Sequence, residues 1–218
     1  MPVPIILSSP SGGGKTTIAH QLLATRKDVG YSVSCTTREP RPSERNGRDY
    51  YFVSPEEFKH RLKGGGFAES ATVHGHLYGT LRSEVERVLA AGRNVIMDID
   101  VQGTRQFVKA FPDSLLIFIL PPSSEALIER LEARGTEDID ALVRRFESAI
   151  AELKAIDLYQ YVVVNDELAA AVEAVSAIID GEGDRFERSK VPGLDRRVKE
   201  LLDGIQRAID QYTKRKGK

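Results

Sequence analysis

Short runs of apolar, β-branched residues alternate with segments of helical periodicity along most of the chain. Five runs predict strands, at residues 3–7, 31–35, 95–99, 115–120 and 161–164. Six segments predict helices, at residues 16–24, 83–91, 103–110, 124–133, 139–155 and 168–179. Because the strand runs lack polar alternation and are separated by helices, they predict a parallel sheet that helices cover on both faces.

Two stretches interrupt this alternation. Residues 36–80 are rich in arginine, proline, glycine and aromatic residues, and they predict an inserted small β-rich subdomain with one helix at 55–63. Residues 134–145 are short, charged and contain glycine, which predicts a lid between two helices.

The composition changes again after residue 180. A helical tail follows, with apolar residues spaced alternately by four and three positions: Leu194, Val198, Leu201, Ile205, Ala208 and Tyr212. Such a seam needs a partner surface. The pattern leaves two alternatives, docking on the chain's own core or on a second copy in a homo-oligomer.

A glycine-rich turn joins the first predicted strand to the first predicted helix. It reads S-P-S-G-G-G-K-T-T at residues 9–17, with serine at position 9 where the usual pattern G-x-x-x-x-G-K-[ST] has glycine. Backbone N–H groups of such a turn wrap a polyphosphate, and the following helix points its positive end at the same anion. Lysine supplies a cation for the phosphates, and the next hydroxyl is a ligand for Mg²⁺. The residues expected to bind a nucleoside triphosphate are Ser11, Gly12, Gly13, Gly14, Lys15, Thr16 and Thr17.

Composition narrows the function classes further. The formal net charge of −1 gives no basic field that would favour a nucleic-acid partner. Cys35 is the single cysteine, which excludes an intramolecular disulfide and suits a reducing compartment. No secretory start and no apolar stretch of membrane-spanning length are evident. We therefore expect a cytoplasmic protein with no membrane partner.

Arginines and tyrosines form a second constellation after the second strand run. Arg38 and Arg41 lie three residues apart, and Tyr50 and Tyr78 follow. Forked guanidinium donors bind phosphate oxygens in a bidentate manner. A second phosphate pocket beside the triphosphate turn suggests phosphoryl transfer between two phosphorylated substrates.

Five motifs together make residues 3–180 resemble the guanylate kinases, the nucleoside-monophosphate kinases that act on GMP. They are S-x-T-T-R-x-P-R at 34–41, G-x-D-Y-x-F-V at 47–53, Y-G-T at 78–80, D-I-D-x-Q-G at 98–103 and R-L-x-x-R-G-T at 130–136. In order and spacing they are far more specific than the phosphate turn alone.

The resemblance implies a role for each matching residue. It implies that the GMP phosphate is held by Arg38, Arg41, Tyr50 and Tyr78, and that guanine is read by Ser34, Glu69 and Thr80. Asp98 would form the floor of the acceptor site and reach Mg²⁺ through water, while Thr16 would bind Mg²⁺ directly. The catalytic cations would be Lys15, Arg38, Arg134 and Arg145, with Arg130 assisting.

The implied fold is α/β, a P-loop NTPase-type parallel sheet flanked by helices, with an inserted small β-rich GMP-binding subdomain and a helical lid. The expected organisation is a P-loop core at 1–33 and 81–180 with the lid at 134–145, a GMP-binding insert at 34–80, and a C-terminal helical extension at 181–218. The implied reaction is Mg²⁺-dependent transfer of the ATP γ-phosphoryl group to GMP, with dGMP as a further substrate, in purine nucleotide metabolism.

Two other functions stay open at this point. A kinase of the same layout that acts on another phosphorylated small molecule, such as a ribose bisphosphate, would keep the phosphate turn but would not need Ser34, Glu69 and Thr80. A catalytically silent module that binds protein partners would not need Lys15 and Thr16, which are intact here.

Overall fold

The computed structural model describes residues 1–73, 75–133 and 138–216. These residues form nine strands and eight α-helices. In chain order they are β1 (Pro4–Ser8), α1 (Lys15–Thr25), β2 (Val29–Tyr31), β3 (Ser34–Thr36), β4 (Tyr51–Phe52), α2 (Pro55–Lys63), β5 (Phe67–Val73), β6 (His76–Leu81), α3 (Arg82–Ala90), β7 (Asn94–Asp98), α4 (Val101–Ala110), β8 (Leu115–Leu120), α5 (Ser124–Glu132), α6 (Ile139–Lys154), β9 (Tyr161–Val164), α7 (Leu168–Ile179) and α8 (Leu194–Lys216).

The larger sheet has five strands in the order β2-β7-β1-β8-β9. Its outer pairs are parallel, with Gly30 opposite Val95 and Phe118 opposite Val162. β1 is buried along its whole length, and β8 is buried after its first residue. Uninterrupted apolar runs form such strands because both faces of a parallel sheet are covered by helices. The predicted fold class, a parallel α/β sheet with a second small sheet, is confirmed.

The predicted strand at 31–35 is wrong in its bounds and in its sheet. β2 ends at Tyr31, and β3 begins at Ser34 in the second sheet. β3 runs antiparallel to β6 and parallel to β4. The run Y-S-V-S-C indicates strand structure but not the pairing partner, so one run can supply strands to two sheets.

The second sheet has four strands in the order β4-β3-β6-β5. Helix α2 begins as the sequence predicts, because the hydroxyl of Ser54 accepts the N–H of Glu57 and Pro55 occupies the first turn. Phe58 on this helix stacks on Phe67 of the sheet with ring centroids 4.3 Å apart. This contact gives the small sheet a core of its own.

The chain divides into two compact units. The first comprises Met1–Ile6 and Leu23–Leu115, and the second comprises Leu7–Leu22 and Leu116–Lys218. The first unit therefore contains the four-stranded sheet, and the second contains the turn after β1 together with helices α5 to α8.

Helix α8 packs against α5 and α6 of the same unit. Leu201, Ile205 and Ala208 of its apolar seam are buried there. Of the two alternatives for this seam, the structure shows docking on the chain's own helices. Among the described residues, none of the helices combines the length and hydropathy that crossing a lipid bilayer requires.

Candidate functional site

The turn after β1 has the backbone conformation of an anion cradle. Gly12 and Gly14 have φ angles of +86° and +97°, which residues other than glycine rarely adopt. The N–H of Gly13 donates to the carbonyl of Pro10 at 2.8 Å, which closes the turn. Helix α1 then begins at Lys15, so its N-terminal N–H groups follow the turn directly.

Side chains from three other elements hold this turn in place. Asn165, just after β9, donates from Nδ2 to the carbonyl of Gly13 at 2.9 Å. Glu152 on α6 accepts the N–H of Ser11 at Oε2, 3.0 Å away. Arg130 on α5 places Nη1 3.5 Å from the carbonyl of Gly12. The turn is therefore fixed by contacts with residues that are distant from it in sequence.

Two glycines of the turn are required by neighbouring side chains. A Cβ at Gly14 would lie 2.3 Å from Nδ2 of Asn165, and one at Gly13 would lie 2.7 Å from Cβ of Ser9. Both separations are shorter than real Cβ contacts. The serine at position 9 is therefore accommodated by the absence of a side chain at position 13.

The predicted lid is described only from residue 138 onward. Arg134 lies outside the described residues. Arg145 is on α6 and donates from Nη1 to the carbonyl of Leu131 at 2.9 Å. Arg144 is exposed, with Nη2 3.8 Å from Oδ2 of Asp138.

Three polar side chains lie in one row across the small sheet. Ser34 of β3 is opposite Thr80 of β6, and Thr80 is opposite Glu69 of β5. Directly opposed residues of antiparallel strands share a face, with Cβ atoms about 4.5–5.5 Å apart. The hydroxyl of Thr80 donates to Oε1 of Glu69 at 2.7 Å. The structure thus brings these three predicted residues together.

Glu69 is a buried carboxylate, only 9% exposed. Burial raises the pKa of Glu69, and the negative charge of Asp100 adds to the increase, while the Thr80 hydrogen bond opposes it. Asp100 caps α4 by accepting the N–H of Gly103 at 2.7 Å. A Cβ at Gly103 would lie 3.0 Å from Oε2 of Glu69, so a glycine lets α4 begin close to this carboxylate.

Arg38 lies in a cluster of aromatic and acidic side chains. Its Nε donates to the hydroxyl of Tyr78 at 3.2 Å, and its Nη2 donates to Oε1 of Glu44 at 2.8 Å. The guanidinium carbon lies 5.5 Å from the ring centroid of Tyr50. Glu44 raises the pKa of Arg38, and Arg38 in turn lowers the pKa of Glu44. The cluster therefore holds a permanent cation over the ring of Tyr50 and beside the hydroxyl of Tyr78.

Comparison with known proteins assigns this arrangement to a family. The guanylate kinase family model matches residues 1–182. The guanylate kinase of Thermotoga maritima is 47% identical over 187 residues, which cover 85% of this chain and 87% of that one. The guanylate kinase of Clostridium perfringens strain SM101 is 43% identical over 201 residues, covering 92% and 93%. The solved guanylate kinase of Anaplasma phagocytophilum superposes with a TM-score of 0.65 at 32% identity, covering 93% and 94%.

The chain belongs to the guanylate kinase family. Phosphoryl transfer from ATP to GMP is the known reaction of guanylate kinases, so the chain is a nucleoside-monophosphate kinase. The resemblance drawn from the motifs is confirmed. The family match ends at residue 182, and helix α8 lies beyond it.

Two further predicted residues of this guanylate kinase, Arg41 and Asp98, interact with members of the Arg38 cluster. The side chain of Arg41 is exposed, while its backbone N–H donates to Oε2 of Glu44 at 2.8 Å. Asp98 is half-buried at the end of β7, and its charge raises the pKa of both Tyr31 and Tyr50. In both tyrosines burial is the larger cause of the raised pKa.

The donor set of this guanylate kinase fits a metal that arrives with the nucleotide. Within the part of the chain that the structure describes, no group of three His, Cys, Asp or Glu side chains is placed to hold a metal ion. Mg²⁺ keeps several waters and is usually bound through one or two protein oxygens plus substrate phosphates. An exposed hydroxyl such as that of Thr16 is a protein oxygen of this kind.

Sequence reasoning missed three residues that contact the predicted ones: Glu44, Glu152 and Asn165. A signal existed for Asn165, because it directly follows a buried strand, and the carboxyl ends of parallel strands are where ligand-site residues collect. Glu152 lies within a long amphipathic helix and is 141 residues from its partner Ser11. No local pattern marks it.

Proposed function

We propose that this guanylate kinase divides its substrates between two sets of residues. The turn and the start of α1 bind ATP through Ser11, Gly12, Gly13, Gly14, Lys15, Thr16 and Thr17. The small sheet and β7 bind GMP through Ser34, Arg38, Arg41, Tyr50, Glu69, Tyr78, Thr80 and Asp98. The observation that carries the GMP assignment is the row of Ser34, Thr80 and buried Glu69.

The row suits the hydrogen-bonding edge of guanine. Guanine offers N1–H and a 2-amino group as donors, and a carboxylate such as Glu69 accepts both. The O6 atom of guanine needs a donor. Thr80 already donates its hydroxyl hydrogen to Glu69, so Ser34 is the hydroxyl better suited to O6. Adenine lacks N1–H and presents an amino group at C6, so each buried group left unpaired would cost about 1–3 kcal/mol.

Arg38 suits the phosphate of GMP. A guanidinium has more N–H donors than the three that Arg38 uses towards Tyr78, Glu44 and the carbonyl of Glu39. The remaining donors can bind a phosphate while Glu44 and the tyrosines keep the group in position. Arg41 would join from solvent, since its side chain is exposed. No assigned contact involves the 2′-hydroxyl, so we expect dGMP to be accepted as well.

The chemistry needs positioning and charge stabilisation rather than a general base, because the attacking phosphate oxygen is already anionic. Lys15, Arg145 and the undescribed Arg134 supply positive charge for the transferred phosphoryl group. Mg²⁺, bound by Thr16 and through water by Asp98, would neutralise charge on the ATP phosphates. Ser11 is the least suited of the turn residues to donate its backbone N–H to phosphate, because Glu152 already accepts it.

The domain organisation expected from the sequence stays part of this proposal. Residues 34–80 would form the GMP-binding insert, residues 1–33 and 81–180 the P-loop core with a lid at 134–145, and residues 181–218 the helical extension. Action in the cytoplasm on purine nucleotides follows from the reaction proposed. The ribose bisphosphate alternative gives no reason for the row of Ser34, Thr80 and Glu69.

The deciding experiment is substrate discrimination by a Glu69→Ala variant. Loss of a charged hydrogen-bond acceptor costs about 1.5–3 kcal/mol, so kcat/KM for GMP should fall about 10- to 100-fold. The kcat/KM for AMP should change little, so the ratio of kcat/KM for GMP to kcat/KM for AMP should fall. ADP release in a coupled assay measures both. Glu86→Ala, an exposed glutamate of the same unit, is the matched control and should leave the preference unchanged. Undiminished discrimination in Glu69→Ala would refute the guanine-reading role.

A further inference from the structure

One carboxylate of helix α6 is bound to the phosphate turn. Oε2 of Glu152 accepts the backbone N–H of Ser11 at 3.0 Å. Glu152 is half-buried and belongs to the last turn of α6. A negative charge beside a site for a polyphosphate is unexpected, since it repels the ligand. Its presence needs a reason in the structure of the turn.

The same helix carries Arg145. Arg145 and Glu152 are seven residues apart, which is about two helical turns, so both lie on one face of α6. Arg145 contacts the end of α5 through the carbonyl of Leu131, and Glu152 contacts the turn through Ser11. One helix face therefore joins a proposed catalytic cation to the proposed ATP-binding turn, all within the second compact unit.

We propose that Glu152 is a positioning residue for phosphoryl transfer. It anchors the entrance of the phosphate turn through the N–H of Ser11 and fixes α6, with Arg145, against that turn. Asn165 fixes the middle of the turn through Gly13, and Glu152 fixes its beginning. This inference rests on the proposed binding of ATP at residues 11–17.

The hydrogen bond and the charge have opposite effects on ATP binding. A carboxylate accepts an N–H more strongly than a neutral acceptor does. The same negative charge repels the ATP phosphates. Glutamine keeps an acceptor oxygen of the same reach without the charge, whereas alanine removes the acceptor. The two substitutions therefore separate positioning from charge.

Steady-state kinetics with each substrate varied in turn tests the proposal. Glu152→Ala should raise the KM for ATP about tenfold, since it removes the contact that fixes the beginning of the turn. It should lower kcat as Arg145 loses its fixed support, while the KM for GMP changes less than about twofold. Glu152→Gln should restore both constants to within about threefold of the parent protein. Glu147→Ala, an exposed glutamate of the same helix, should have no effect.

Three results would overturn the proposal: a KM for ATP that is unchanged in Glu152→Ala, a KM for GMP that rises equally, or a glutamine variant as impaired as the alanine variant. If Glu152→Ala does not fold, Glu152→Asp withdraws the acceptor by one methylene and should raise the KM for ATP in the same direction. Lys15→Ala separates this proposal from the ATP assignment. Normal turnover by Lys15→Ala would refute that assignment, whereas an inactive Lys15→Ala beside a normal Glu152→Ala would refute only the role of Glu152.

Discussion

Positions 9 and 13 of the phosphate turn are coupled through space. Cβ of an alanine at position 13 would lie 2.7 Å from Cβ and 2.8 Å from Oγ of Ser9. Ser9 is 2% exposed, and its hydroxyl donates to the carbonyl of Pro10 at 2.9 Å, so its side chain cannot rotate away into solvent. Without the side chain of Ser9, the nearest atom to that Cβ would be the carbonyl oxygen of Pro10 at 3.0 Å, so the two shortest contacts come from Ser9.

This coupling predicts the outcome of a double-mutant cycle. Gly13→Ala should destabilise the protein by about 1–3 kcal/mol, the usual effect of overpacking. In a Ser9→Gly background the loss in the free energy of unfolding caused by Gly13→Ala should be smaller by at least about 1 kcal/mol, because the obstructing side chain is gone. Urea unfolding of the four proteins, followed by the KM for ATP, measures the coupling. An equal loss of stability from Gly13→Ala in both backgrounds would contradict the coupling.

Glu69 gives the reaction a dependence on pH. The N1–H and 2-amino groups of guanine need an ionised carboxylate, and burial raises the pKa of Glu69. Consequently kcat/KM for GMP should fall on acidification at a pH above the ordinary glutamate value of about 4.3. The profile of kcat/KM against pH measures this. Glu69→Gln should abolish the step, and a step at the ordinary value would show that burial does not govern this group.

Whereas kcat/KM for GMP should fall as the pH decreases, the contribution of Glu69 to the stability of the fold should fall as the pH increases. Because its pKa is raised in the folded protein, the unfolded chain ionises first as the pH rises. The folded protein therefore loses stability between the ordinary glutamate pKa and the raised one. Glu69→Gln removes this loss. The carboxylate is thus retained at some expense of stability, which agrees with its proposed role in reading guanine.

Helix α8 packs closely on the start of α5 because Gly204 has no side chain. A Cβ there would lie 2.1 Å from Oγ and 2.3 Å from Cβ of Ser124, which is 7% exposed. Glycine in a helix interior is otherwise unfavourable by about 0.5–1 kcal/mol relative to alanine. The close approach of two helices outweighs that penalty here.

We expect Gly204→Ala to lower the free energy of unfolding by about 1–3 kcal/mol, because overpacking exceeds the gain in helix propensity. In a Ser124→Gly background the alanine should instead be neutral or stabilising. Urea midpoints of the single and double variants give both values. A stabilising Gly204→Ala in the parent protein would mean that α8 does not approach α5 so closely.

At the scale of the whole molecule, the described residues supply the metal with few ligands of their own. No group of three His, Cys, Asp or Glu side chains in the described ranges can hold an ion. The metal should therefore bind with ATP and contribute nothing to the stability of the unliganded protein.

Removal of divalent metal with EDTA should abolish turnover, and added Mg²⁺ should restore it. The melting temperature of the nucleotide-free protein should be the same with and without EDTA. Calorimetry should still detect GMP binding in EDTA, since the GMP contacts proposed here include no direct metal ligand. A large drop in the melting temperature on chelation would reveal a resident structural metal and contradict this prediction.

Local patterns were sufficient for much of this molecule. The strands at 115–120 and 161–164 and the helix at 168–179 have the predicted bounds, because long apolar or periodic segments express their burial in neighbouring residues. The motifs predicted the family and its reaction, since their glycines, cations and hydroxyls stand at spacings that the chemistry requires.

Contacts between distant residues needed the tertiary structure. The division of the run at 31–35 between two sheets depends on strand pairing, and the anchoring of Ser11 by Glu152 joins residues 141 apart. The seam of α8 was visible as an amphipathic pattern, but its partner was not. The spacing of apolar residues shows that one face of a helix is apolar, but only the packing of the whole chain decides which surface covers that face. In this protein α5 and α6 form that surface.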